Sequence, residues 1–341
     1  MPPAPKPSRL NTFKSFMHIR TGGGIIEYRD DGSGDMSGGG CNACGCYQLT
    51  EYNWKEAYGK PGGLAACLPP TIFLLLRLLF FVAWFGTNAY AVYQLVTVYS
   101  FPMQYYLTKL TSWSALLLLA YLGFALFSTF MAQCSKMRDG KGSATPCFVS
   151  ITWLLQTVNC VIQPMVTLMY FALVHEWGAP REDFVTSAAN LTATSEDAVK
   201  YSFAITVVGH GLNTVITILD LLVSRNRLVL GHFVHALVFA GLYLLFTIVY
   251  YLAGGTNEDG ISPYIYPALD WRGFGTSTVL DDCSTTTALY CRSLSTRVVA
   301  TILLLLGVPC MSCLCFITYL IRRQCRQAVE ETTGEQKTVV V

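Results

Sequence analysis

One apolar stretch of the chain carries His210, Asn213, Thr217 and Asp220, at spacings of three, four and three residues. On an α-helix residues so spaced share one face. An ionisable group within a bilayer is expensive without a partner or a purpose, so such a face must look at other parts of the protein. Other apolar runs offer Thr108, Lys109, Thr111 and Ser112, then Gln156, Asn159 and Gln163, and finally Arg77. These positions allow Thr111 and His210 to face one another across two helices. They also allow an ion pair between Arg77 and Asp220, or plain hydrogen bonds that join helices. His232 and His235 stand at the edge of their run, where solvation is expected.

The elements that must position these residues follow from composition. Of 341 residues, 52% are hydrophobic and 13% charged, about half the usual charged share of roughly 25%. Mean hydropathy is +0.43. With 23 basic and 21 acidic residues and a net charge of +2, no basic field is available for a nucleic-acid backbone, and no nucleic-acid partner is expected. Lipid is the expected solvent, and a helix needs roughly 20 apolar residues to cross it. The expected fold is an all-α membrane protein, a six-helix transmembrane bundle with a disordered N-terminal tail. Spans are predicted at 71 to 96, 106 to 132, 148 to 174, 201 to 224, 230 to 253 and 297 to 320. The third contains Gln163-Pro164, which predicts a kink whose freed carbonyl a neighbouring helix satisfies.

Residues 1–70 are rich in Gly and Pro and read as a disordered cytoplasmic tail, 71–320 as the membrane domain, and 321–341 as a cytoplasmic C-terminal tail. Lys136, Arg138 and Lys141, then Arg225 and Arg227, then Arg322, Arg323 and Arg326 fall on one side of a six-span bundle. The positive-inside rule places them and both termini in the cytoplasm. The opposite loops are acidic, and one holds the sequon at Asn190. At about 1.5 Å per residue, Thr111 lies roughly 8 Å and His210 roughly 14 Å from the outer ends of their helices, so the two can face each other. Asp220 and Arg77 lie toward the inner end.

Cysteines divide by that topology. Cys283 and Cys291 share one outer loop, where a disulfide is expected. Cys41, Cys44 and Cys46 lack the further Cys or His ligands that zinc needs, so no metal is expected. With Cys313, Cys315 and Cys325 they are candidates for palmitoylation, while Cys310 reads as a packing residue. The end Thr338-Val339-Val340-Val341 could add as a strand to a PDZ domain. The bilayer, a lipid ligand and that PDZ-domain protein are the expected partners, and no cofactor is implied.

Three blocks read together: Gly209-His210-Gly211-Leu212-Asn213-Thr214, Tyr250-Tyr251-Leu252-Ala253-Gly254-Gly255-Thr256-Asn257, and Tyr264-Ile265-Tyr266-Pro267-Ala268-Leu269-Asp270-Trp271. They resemble the rolling stone family of multi-pass membrane proteins, over about residues 50 to 325. The resemblance implies a plasma-membrane component in cell fusion of the myoblast kind, adhesion or signalling. The chain is more distantly similar to androgen-induced membrane hydrolases, which cleave fatty-acid esters of hydroxy fatty acids with an intramembrane Thr and His. Their Leu-Thr pair matches Leu110-Thr111, and their His-Gly-x-His-Thr motif matches His210-Gly211-Leu212-Asn213-Thr214. The second His stands here as Asn213, and a neutral amide cannot act as general base.

His210 shares that helical face but is displaced about 4.5 Å along the axis, too far for a dyad with Thr111 unless Thr108 or Ser112 takes its place. The leading expectation is therefore a fusion, adhesion or signalling component whose polar helix faces are structural or bind lipid. A Thr-dependent hydrolase of fatty-acid esters is the alternative. A transporter ranks third, since no paired broken helices occur. The segment Tyr264 to Trp271 reads either as a lid over the bundle mouth or as an interfacial anchor.

Overall fold

The computed structural model describes residues 54–97, 102–134, 145–174, 196–226, 228–257, 260, 264–266, 269, 271 and 302–332. The described residues are helical, with no strand among them. A short helix α1 (Trp54–Gly59) precedes α2 (Pro70–Thr97), α3 (Leu110–Cys134), α4 (Cys147–Met169), α5 (Glu196–Val223), α6 (Phe233–Leu252) and α7 (Val308–Thr332). Pro70 opens α2, where a missing N–H costs nothing and the fixed φ suits a first turn. Single π-helical turns follow α4 at Tyr170–Val174 and precede α7 at Leu303–Gly307.

Among the described residues, five helices are long and apolar enough to cross a membrane. The expected fourth span lies within α5, whose side chains are described from Val207 on, and Val207–Val223 is apolar. Its first turns hold Glu196, Asp197 and Lys200, and its membrane half spends positions on His210, Asn213, Thr217 and Asp220. Large apolar side chains are exposed all along α2 (Ile72, Leu75, Leu79, Val82, Phe85) and α6 (Leu242, Leu245, Val249). Apolar exposure on that scale is unsustainable in water and is the surface a bilayer would cover. The protein is an integral multi-pass membrane protein.

Helix α4 runs through the middle of the bundle and packs against α3, α5, α6 and α7. That position explains its polar content, since Gln156, Asn159 and Gln163 are all buried among neighbours. Pro164 leaves α4 unbroken. Having no N–H, it frees the carbonyl of Cys160, and the thiol of Cys315 on α7 donates to that oxygen at 2.6 Å. The freed acceptor is thus satisfied by a neighbouring helix, as the sequence predicted.

Folded structure begins earlier than composition suggested, because residues 54–68 pack onto the bundle. Trp54, Ala57 and Tyr58 are buried against Val149 and Phe148. Arg225 donates to the Pro61 carbonyl at 2.6 Å and pairs with Glu56 at 2.9 Å. Gly63 has φ +52, and a Cβ there would run into the Leu222 carbonyl and the Arg322 side chain. Arg322 in turn donates to the carbonyls of Leu221 at 2.7 Å and Asn226 at 2.5 Å, capping the end of α5. Helix α7 continues to Thr332, past the expected end of the sixth span at 320.

Candidate functional site

Thr111 sits in the first turn of α3, and its hydroxyl lies 3.2 Å from Nε2 of His210 on α5. The expected separation of His210 from Thr111 is therefore wrong. Helical position fixed the depth of each residue along its own axis but not the slide of α3 against α5, and that slide brings the pair together. The His210 ring stacks on Tyr170, centroids 3.7 Å apart and planes at 14°. Tyr170 belongs to the π turn that ends α4, a local widening that re-aims the side chains around it. The Thr167 hydroxyl is 2.5 Å from the His210 carbonyl, 3.0 Å from Asn213 Oδ1 and 2.7 Å from the Thr214 hydroxyl. Tyr170 thus holds the imidazole plane, while Thr167 holds the backbone of the α5 turn that carries it.

Asn213 takes a different part. Its amide donates to Gln163 Oε1 at 3.0 Å, while Gln163 donates to Asn159 Oδ1 at 2.6 Å and to the Ser114 carbonyl at 2.8 Å. Asn159 closes the chain on the carbonyls of Leu155 at 2.8 Å and Leu117 at 3.3 Å. Each amide both donates and accepts, which a buried polar chain requires. Asn213 is 1% exposed and ties α5 to α4.

Described residues of the loop after α6 cover the Thr111 end. Tyr266 accepts from the Leu110 N–H at 3.1 Å and is hydrogen-bonded to the Thr111 hydroxyl. Burial raises the Tyr266 phenol above its ordinary range, and those hydrogen bonds pull it partly back. Lys109 Nζ donates to Asn257 Oδ1 at 3.0 Å and to the Ile265 carbonyl at 3.3 Å, and lies over the Tyr266 ring. Ile265, Leu269 and Trp271 are buried, and Trp271 donates to Thr247 at 3.2 Å. This arrangement is the lid-like one of the two readings of that segment, since its side chains face the bundle.

A second polar cluster lies deeper. Arg77 Nη1 is 3.1 Å from Asp220 Oδ1, both residues 1% exposed. The Tyr121 hydroxyl donates to the other carboxylate oxygen of Asp220 and accepts from Arg77 at 3.4 Å. His232 departs from expectation, being 9% exposed with its ring edge-to-face with Trp153 at 4.5 Å. Burial, and then the neighbouring His235, lower its pKa to about 4. The turn of Leu230–His232 folds the imidazole beneath α4 instead of leaving it in the interface.

Among the cysteines, Cys310 and Cys313 are exposed and Cys315 is buried. Cys325 lies on α7, but its side chain is outside the described residues, as are Cys41, Cys44, Cys46, Cys283, Cys291, Asn190 and the C-terminal Thr338–Val341. Sequence reasoning missed Thr167 and Tyr170. Their signal was present, because Gln163, Thr167 and Tyr170 continue the α4 face of Gln156 and Asn159 at helical spacing.

A family model described as "Protein rolling stone" matches residues 69–281. The chain belongs to the rolling stone family. The match runs from α2 through α6 and the loop carrying Tyr266, so both polar clusters lie within the rolling stone region. Protein rolling stone of Drosophila melanogaster is 42% identical over 69 residues, 20% of this chain and 25% of that protein. That likeness therefore spans a quarter of the fly protein's length. No solved structure matches.

Proposed function

We propose that this rolling stone family protein acts on a lipid ester in the outer half of the bundle, with Thr111 as nucleophile and His210 as general base. The 3.2 Å contact between Thr111 Oγ1 and His210 Nε2 carries this reading. It lies within the reach expected of a nucleophile and its base in an unliganded site. His210 takes the hydroxyl proton as Oγ1 bonds to the ester carbonyl carbon. The same proton then passes to the departing alkoxide, leaving acyl-Thr111. Water, deprotonated by His210, hydrolyses that ester and releases the fatty acid. Tyr266, hydrogen-bonded to the Thr111 hydroxyl, is placed to orient it. The stacked Tyr170 ring fixes the imidazole plane. The substrate class is the one cleaved by the androgen-induced hydrolases that the chain distantly resembles, and it suits a site within the membrane domain.

The test uses purified full-length protein in mixed micelles, given a branched fatty-acid ester and, separately, a fluorophosphonate. Wild type is expected to label and turn over, with Thr111→Ala losing both and His210→Gln losing turnover. Inert wild type, or labelling unchanged in Thr111→Ala, ends the hydrolase reading.

The second reading is a plasma-membrane component in cell fusion, adhesion or signalling, with both termini cytoplasmic and the same polar site holding a lipid without cleaving it. The amide chain from Asn159 to Asn213 supports it, since the position that would carry a catalytic base in the hydrolases is spent on joining helices. Cell mixing after removal of the protein tests that role. Unchanged fusion and adhesion in expressing cells would remove it.

A further inference from the structure

Three cysteines outside every site described so far converge on one end of the bundle. Cys67 precedes α2, Cys134 ends α3 and Cys147 opens α4, and because these helices alternate in direction, all three lie at the same end. All three are exposed. Contacts of the residues beside them gather at one corner. Gln133, beside Cys134, donates to the Gly59 carbonyl at 3.0 Å and to the Pro70 carbonyl at 2.7 Å, which brings Cys134 to the approach to α2 where Cys67 sits. Phe148, beside Cys147, packs edge-on against Trp54 at 5.7 Å and Phe127 at 5.1 Å, joining the third thiol to the same corner. Among the described residues no group of His, Cys, Asp or Glu is placed to hold a metal ion.

The surroundings fit a long acyl chain. Phe130 and Phe127 stand four and seven residues before Cys134, on its helical face, at 49% and 47% exposure. Ile72 and Leu75 continue the lipid-facing surface beyond Cys67 on α2, at 43% and 58% exposure. A chain attached at either sulfur would run up an apolar track into the bilayer. The same end carries Lys55 and Lys60 beside α1, and Lys136, Arg138 and Lys141 follow Cys134 in the sequence. Basic residues next to spans mark the cytoplasmic side, where acyl-CoA is available.

We propose that Cys67, Cys134 and Cys147 are S-acylated by long-chain acyl-CoA, pinning the α1 corner to the inner leaflet. In the step, the cysteine sulfur bonds to the thioester carbonyl carbon, the bond from that carbon to the sulfur of CoA breaks, and CoA leaves as the thiol with the cysteine's proton. The proposal does not depend on any chemistry at Thr111. It concerns thiols other than those at 41, 44, 46, 313, 315 and 325.

The test feeds cells expressing the full chain an alkyne analogue of palmitate and reads hydroxylamine-sensitive label on the captured protein. Cys67→Ser/Cys134→Ser/Cys147→Ser is compared with a chain in which the six cysteines at 41, 44, 46, 313, 315 and 325 are replaced by alanine. The expected result is a strong label on wild type and on the six-alanine chain, and loss of it when the three serines are added to the six-alanine chain. Absence of hydroxylamine-sensitive label on the six-alanine chain overturns the proposal, as does undiminished label once the three serines are added to it. Should that combined chain fail to fold, the single-serine variants are read by exchanging each acyl group for a mass tag. One tag lost per variant supports the proposal, and a tag pattern unchanged in all of them overturns it.

Discussion

The bundle holds two polar clusters built from the same helices and spent differently. In the inner one, Arg77, Tyr121 and Asp220 close on each other at 1% exposure for Arg77 and Asp220, each carboxylate oxygen facing a partner. In the outer one, Thr111 and His210 touch at 3.2 Å but remain half-buried, roofed by a loop instead of sealed by helices. Helix α5 supplies a residue to both, and between them Asn213 ties it to α4. Charge deep in an apolar bundle is tolerated when it is neutralised on the spot, whereas a neutral hydroxyl and imidazole can be left open to a ligand. Position along one helix face thus separates what holds the protein together from what can react.

The sharpest way to break that contrast is at the inner pair. Asp220→Ala leaves Arg77 as a buried, unpaired cation and is expected to destabilise the bundle by about 3–5 kcal/mol, as loss of folded protein by fluorescence-detected size exclusion in detergent. Arg77→Met combined with Asp220→Leu removes both charges and should recover most of that loss, within about 1–2 kcal/mol of wild type. A pair whose double replacement is as damaging as the single one would have a role beyond mutual neutralisation.

Asn213→His tests the middle of the face. If Asn213 were a lapsed catalytic position, histidine there would raise activity. Its amide instead donates to Gln163 and accepts from the Thr214 N–H at 2.7 Å, so the larger imidazole should cost about 1–3 kcal/mol of stability with no gain in ester turnover. Thr111→Ala should be milder still, about 1 kcal/mol of thermal stability, because its hydroxyl's hydrogen bonds to His210 and Tyr266 lie at a half-buried site. Large loss of activity with small loss of stability at Thr111, and the reverse at Asp220, is the pattern that separates the clusters.

Periodicity revealed the helices, the polar face of α5 and the ion pair, because each is a property of spacing within one helix or of a charge that needs an opposite. The Arg77–Asp220 contact needed only two depths at the same inner end. The Thr111–His210 contact needed more, since it depends on how far α3 slides along α5 and on the π turn that sets Tyr170 behind the imidazole. Neither is written in a local pattern. Tyr266 was out of reach for another reason: a loop residue separated from Leu110 by 156 positions meets it only once the helices have assembled. The motif match pointed at Asn213 because it aligned residue types, whereas geometry selects His210, one turn away.

His232 offers the finest test of how burial treats an ionisable group at the bundle's edge. Sequence position suggested a solvated imidazole, yet it packs against Trp153 and has its pKa lowered to about 4, by burial first and by His235 second. The ordinary histidine value is about 6.5, so between these limits the unfolded chain takes up a proton that the folded one refuses. Stability from this site is therefore complete above about pH 6.5 and declines as pH falls toward 4. Melting midpoints at neutral pH and near about pH 5 should show that decline in wild type. His232→Phe keeps a ring against Trp153 and has no proton to gain, so its midpoint should fall less over the same interval. Equal falls in both proteins would assign the acid sensitivity to other groups and leave His232 as a packing residue only. A smaller fall in the phenylalanine variant would place an acid-sensitive contact at the inner end of α6, opposite the end where the neutral Thr111 and His210 meet.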